Sequence, residues 1–134
     1  MSTPSINGAS HVALTVRDKD ASAEWYQRVF GWQVLARLEA GQAGSPRVLL
    51  YDAGSGFALA LCEPDDRSLD AFDHRRTGLD HLAFNLADAA EMDRWVAHLD
   101  DLGVAHSPVR DAAIGTFVSL EDPDGIQLEL WLTA

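Results

Sequence analysis

A strand-like stretch occurs twice in this chain at a fixed offset, and that duplication narrows the possible folds more than any other feature. Residues 10–16 read SHVALTV and residues 80–86 read DHLAFNL, so His11 and His81 stand seventy positions apart (81 − 11 = 70). The offset persists downstream, where Asp18 matches Asp88 and Trp25 matches Trp95. Residues 56–61 (GFALAL) align with 125–130 (GIQLEL) at an offset of sixty-nine. A fixed period of this kind marks two copies of one supersecondary unit. In the last alignment Ala60 stands opposite Glu129, so the copies differ where a carboxylate can sit.

Alternate side chains of a β-strand share a face. His11, Ala13 and Thr15 therefore fall on one side of the first copy, and Val12, Leu14 and Val16 on the other. His81, Ala83 and Asn85 against Leu82, Phe84 and Leu86 repeat the split. One face of each copy is apolar and packs, and the other is small and polar.

After the first strand, Asp18 or Asp20 supplies a helix N-cap, and Ser22, Trp25, Tyr26, Val29 and Phe30 follow at three-and-four spacing. Gly31 closes the helix. Extended runs at 32–39, 47–52 and 57–62 are separated by turn formers at 40–46 and 53–56, so the first half reads β-α-β-β-β. Residues 63–78, with Pro64, a run of acids and His74-Arg75-Arg76, form the connector. The second half repeats the order: a strand at 79–86, then a helix opened by Asp88 with Glu91 at capping-box spacing. Its stripe is Met92, Trp95, Val96, Leu99 and Leu102, and Gly103 ends it. Runs at 106–110 and 115–121 lead to the turn Asp122-Pro123-Asp124-Gly125 and a last strand at 126–132. The expected fold class is α+β: one domain over 1–134, with modules at about 6–62 and 79–133. Trp25, Trp95 and Trp32 are expected to pack, and His74, His98 and His106 to lie at the surface.

Composition excludes some functions. The chain has 134 residues, 47 % of them apolar, enough for a core, and its net charge of −11 without a Lys/Arg cluster repels a phosphate backbone. No nucleic-acid partner is expected. The first ten residues lack the basic start and apolar run of a signal peptide, and no apolar stretch approaches membrane-spanning length. A lone cysteine, Cys62, forms no internal disulfide, which fits a reducing cytoplasm.

The last strand carries the chemistry. Gln127, Glu129 and Trp131 share one face, while Ile126, Leu128, Leu130 and Leu132 share the other. If the apolar faces of all three strands turn to the helices, Glu129 points the same way as His11 and His81. A carboxylate there must be solvated, paired or bound to a metal. Two imidazoles and a carboxylate suit Fe(II), Mn(II), Zn(II) or Ni(II), with positions left open for substrate or water. On spacing alone, histidines satisfied by ordinary hydrogen bonds remain the alternative.

The duplicated β-α-β-β-β halves, His11 and His81 at the start of paired strands, the Asp122-Pro123-Asp124-Gly125 turn and Glu129 just beyond it resemble the vicinal oxygen chelate superfamily, which includes glyoxalase I, extradiol dioxygenases, fosfomycin-resistance thiol transferases and bleomycin-resistance proteins. The resemblance covers about residues 6–133. It implies two curved mixed sheets closing a cup-shaped half-barrel, and a homodimer. It places His11, His81 and Glu129 on three of four family metal positions, with Ala60 at the fourth. Alanine can neither ligate nor shuttle a proton, so the pattern is similar to the dioxygenases and fosfomycin-type transferases more than to glyoxalase I.

The expected activity is that of a divalent-metal-dependent enzyme that binds a small oxygen-rich substrate through two vicinal oxygens, with Glu129 the candidate catalytic base. Tyr51, Cys62, Asn85, Gln127 and Trp131 are pocket candidates by strand parity, and Ala60 joins them through the resemblance. The alternative is a metal-free protein that sequesters a drug or secondary metabolite, to which the acidic surface would attract a cationic ligand.

Overall fold

A computed structural model describes residues 2–40 and 44–134, so that residues 41–43 of the expected turn at 40–46 lie outside the described residues. The chain divides into two compact units, Met1–Leu69 and Asp70–Ala134. Each has the β-α-β-β-β order that the repeat requires.

In the first unit the elements are β1 (Val12–Thr15), α1 (Lys19–Phe30), β2 (Gln33–Leu38), β3 (Arg47–Tyr51) and β4 (Ala58–Cys62). They form a four-stranded sheet in the order β1-β4-β3-β2, with β1 and β4 parallel and the other pairs antiparallel. The second unit holds β5 (His81–Asn85), α2 (Ala89–Leu102), β6 (Arg110–Ala112), β7 (Gly115–Glu121) and β8 (Gln127–Thr133). Its sheet runs β5-β8-β7-β6, again with one parallel pair, β5 with β8. In both sheets the strand that closes the unit lies between the strand that opened it and the one before.

Local chemistry fixes the helix ends. The Asp18 carboxylate accepts from the N–H groups of Asp20 and Ala21, and that of Asp88 accepts from Glu91 N–H, so each helix starts on an aspartate in extended conformation. Gly31 (φ 71°) and Gly103 (φ 69°) end them in the left-handed region. Glu63 binds the start of the connector to α1: one oxygen accepts from Lys19 N–H at 3.1 Å and the other from Arg67 at 3.0 Å.

The apolar faces pack as the alternation requires. α1 lies against β2, β3 and β4 and buries Ser22, Ala23, Tyr26 and Val29, while Leu14, Val16, Val48, Leu50, Leu59 and Leu61 are buried from the strands. Trp32 continues this core: its ring stacks on Phe30 at 4.5 Å and Tyr26 at 5.7 Å. In the second unit α2 lies against β8, and Met92, Leu99, Val118, Leu120, Leu128 and Leu130 are buried. Trp25 and Trp95 are half-buried at the edges of their stripes.

Two expectations need correction. The run at 106–110 is not a strand, because Pro108 has no N–H for a ladder and Ser107 bonds Ser119 through its own side chain. Only an isolated bridge joins His106 to Leu120, and regular pairing begins at Arg110. His106 is also not a surface residue. Its side chain keeps 14 % of its accessible area and is held at both nitrogens, by Asp100 Oδ1 and Ser107 O, each at 2.7 Å. These two acceptors, with Asp100 the stronger, raise its pKa above the usual histidine value.

Candidate functional site

The open face of each sheet is built by the central strand and the strand that runs parallel to it. In the second unit the register pairs His81 with Gln127, Ala83 with Glu129 and Asn85 with Trp131. β7 places Glu121, Ser119 and Phe117 opposite Gln127, Glu129 and Trp131. His81, Ala83 and Asn85 are exposed, whereas Leu82 and Phe84 between them are half-buried. The parity read from the sequence therefore holds.

What positions β8 is the turn before it. Asp122, only 5 % exposed, accepts from the N–H groups of Asp124 and Ile126 at 2.9 Å each, while its own N–H donates to Ile126 O. Gly125 takes φ 83° and donates to Asp122 O, closing the turn. A buried carboxylate that binds two backbone donors of the turn fixes the residue at which β8 begins, and with it the side to which Glu129 points.

Glu129 is 5 % exposed and fully engaged. Gln127 Nε2 donates to Oε2 at 2.7 Å and Trp131 Nε1 donates to Oε1 at 2.8 Å, from two residues before and two after on the same face. His81 Nε2 lies 3.2 Å from Oε1. Trp131 is itself fixed by stacking on Phe117, with ring centroids 4.6 Å apart. Gln127 and Trp131, expected as pocket residues, are thus also the donors that make a buried carboxylate tolerable. Strand parity alone carried no sign of that role.

The far side of His81 shows a residue that the sequence reading passed over. Asp80 Oδ1 sits 2.7 Å from His81 Nδ1, so the ring bridges two carboxylates. The signal was present in the Asp80-His81 dipeptide. Asn85 is exposed and accepts from Thr133 Oγ1. Among the described residues, neither unit by itself gathers three His, Cys, Asp or Glu side chains into a metal-binding group.

In the first unit His11 lies just before β1, exposed, with its Nδ1 3.0 Å from Ser10 Oγ. Ala13 pairs with Ala60 and Thr15 with Cys62; on the other side of β4, Tyr51 pairs with Ala58, Leu49 with Ala60 and Arg47 with Cys62. Ala60 and Cys62 are buried and Tyr51 is half-buried. Where β8 carries Gln127, Glu129 and Trp131, β4 carries Ala58, Ala60 and Cys62. Among the described residues, the first unit brings one imidazole to its open face, and the β4 positions that match Gln127, Glu129 and Trp131 carry no carboxylate.

The chain is similar to known proteins in sequence and in fold. The family model described as Glyoxalase/Bleomycin resistance protein/Dioxygenase superfamily matches residues 8–130. The chain is 33 % identical over 135 aligned residues to catechol-2,3-dioxygenase of Bacillus subtilis, covering 95 % of this chain and 43 % of that protein, so it spans less than half of that relative's length. It is 29 % identical to the uncharacterized protein YwkD of the same organism, covering 90 % of this chain and 93 % of that one. The crystal structure of a glyoxylase/bleomycin resistance protein/dioxygenase domain from Frankia sp. EAN1pec superposes with a TM-score of 0.86 at 34 % identity, covering 97 % of this chain and 94 % of that chain. The fosfomycin resistance protein FosX from Listeria monocytogenes, in a mutant complexed with Mn(II) and 1S,2S-dihydroxypropylphosphonic acid, shares the fold with a TM-score of 0.71 at 21 % identity, covering 97 % and 95 %.

Proposed function

The chain belongs to the Glyoxalase/Bleomycin resistance protein/Dioxygenase superfamily, and from that premise we propose that it is a divalent-metal-dependent enzyme acting on a small oxygen-rich molecule through His11, His81 and Glu129. The observation that carries this reading is the 3.2 Å separation of His81 Nε2 and Glu129 Oε1. Two ligands each about 2.1 Å from one ion, at angles between octahedral and tetrahedral, lie about 3.0–3.4 Å apart. With Nδ1 facing Asp80, Nε2 is the ring atom left to ligate, and its partner is a carboxylate already oriented by two donors. The donor set fits Fe(II), Mn(II), Zn(II) or Ni(II).

A bound metal of this kind supplies Lewis-acid stabilisation of negative charge on a chelating substrate oxygen. The chain's own residues do the rest. Glu129 is the candidate base once its hold on a metal loosens, and Gln127 would keep hold of Oε2 while it takes the proton. Ala60 adds no fourth ligand. Two histidines with one carboxylate are the set used by non-haem Fe(II) oxygenases, and the 33 % identity to a catechol dioxygenase ranks oxygenase chemistry above isomerase, lyase or thiol-transfer chemistry. The free thiol of Cys62 suits a cytoplasmic setting, and a homodimer is part of the same proposal.

A second reading rests on one observation. Both oxygens of Glu129 already have hydrogen-bond donors, so the carboxylate is satisfied without a cation, as in a protein that only sequesters a ligand. Metal analysis of protein purified without added metal or chelating resin separates the two. We expect close to one equivalent of divalent metal per chain, and a loss of most of it in His81→Ala and Glu129→Gln variants whose thermal unfolding shows them folded. A wild-type protein that stays empty after incubation with each of the four metals overturns the enzyme reading in favour of the binder.

A further inference from the structure

Each candidate ligand histidine touches the residue before it, and the two contacts differ in kind. His81 Nδ1 is 2.7 Å from a carboxylate oxygen of Asp80, whereas His11 Nδ1 is 3.0 Å from the hydroxyl of Ser10. An ionised carboxylate has no proton to give, so at that distance Nδ1 must carry the hydrogen, and a neutral ring then keeps its lone pair at Nε2. A hydroxyl can donate or accept, and the Ser10 contact is compatible with either tautomer. Glu129 Oε1 draws on the other nitrogen of His81, but at 3.2 Å against 2.7 Å. The nearer carboxylate wins the proton. Asp80 is 70 % exposed, and its second oxygen lies 3.9 Å from His74 Nδ1. Its shorter contact with His81 is the one that orients it.

We infer that Asp80 is a positioning residue that fixes the tautomer and ring orientation of His81 so that Nε2 faces Glu129, whereas Ser10 leaves His11 free to take either tautomer. The relevance to metal rests on the reading of His81 as a ligand. The orientation itself does not. Loss of such an outer hydrogen bond weakens metal affinity by about 10- to 100-fold in sites where it has a metal to act on.

The experiment uses uniformly ¹⁵N-labelled, metal-free full-length protein at a pH alkaline to imidazole titration, where long-range ¹H–¹⁵N spectra report which ring nitrogen carries the proton. In wild type His81 is expected as the Nδ1–H form. Asp80→Ala should shift it to the Nε2–H form, and Asp80→Asn, which keeps a carbonyl acceptor, should restore it; a protein merely loosened by the substitution would not show that rescue. A wild-type His81 protonated at Nε2, or an unchanged tautomer in Asp80→Ala, overturns the inference. Mn(II) affinity measured by equilibrium dialysis on the same proteins should fall about 10- to 100-fold in Asp80→Ala. Equal affinity in wild type and Asp80→Ala also overturns the positioning role. If wild type binds no Mn(II) or any other of the four metals, the metal reading fails while the tautomer spectra still decide the orientation.

Discussion

The two units share an order of elements, a sheet topology and a pattern of helix caps, yet they handle the central strand of the sheet differently. β8 puts an ionisable carboxylate at Glu129, with donors from Gln127 and Trp131 and with His81 Nε2 3.2 Å away, and β4 puts Ala58, Ala60 and Cys62 at the matching places. The difference extends to the histidines, one held by an aspartate and the other by a serine. What duplicated is the scaffold. The polar chemistry belongs mainly to the second copy, and within β8 the buried charge stands where strand neighbours at i − 2 and i + 2 supply its hydrogen bonds.

The most severe way to break this comparison is to give the first copy the charge without its partners. Ala60 is 2 % exposed and its strand neighbours on that face, Ala58 and Cys62, donate no strong hydrogen bond. Ala60→Glu is expected to destabilise the protein by about 3–5 kcal/mol, the range for an uncompensated buried charge. Urea unfolding would measure it, and a loss under about 1 kcal/mol would show that β4 accommodates a carboxylate as readily as β8.

The helix caps sharpen the comparison at smaller scale. Asp18 accepts from two backbone donors and Asp88 from one, so Asp18→Ala should cost about 1.5–2 kcal/mol and Asp88→Ala about 1 kcal/mol. Equal costs would mean that the second bond at Asp18 adds nothing.

The smallest expected effect is a pH dependence confined to the second unit. The His106 pKa is raised in the folded state, so its contribution to stability is fully present below the ordinary histidine value and is lost as pH rises through the folded value. The Asp100–His106 pair should therefore add on the order of 0.5 kcal/mol at pH 6 that is absent at alkaline pH. Comparing His106→Gln with wild type across that window checks it; a variant whose pH profile parallels wild type would remove His106 as the source.

Much of this was legible in the residues. The caps at Asp18, Asp88, Gly31 and Gly103 follow from local chemistry that tertiary packing did not override, and strand parity put His81 and Glu129 on one face because a period of two leaves no other choice. Less legible were contacts that depend on side-chain reach. Nothing in the alternation showed that Trp131 would turn its indole N–H back onto Glu129. The nearness of Asp100 to His106 depends on how the chain leaves α2. The run at 106–110 reads as an edge strand, but it holds Pro108, the sign that the ladder would fail there.

The turn at Asp122 also limits how this site can change over generations. Because its carboxylate binds two backbone donors and sets the first residue of β8, a single inserted or deleted residue there would turn the strand over and send Gln127, Glu129 and Trp131 together to the helix-facing side. Length variation, the commonest and best tolerated change in surface loops, is closed at this position. New specificity at the second unit's face must arise by substitution, one side chain at a time.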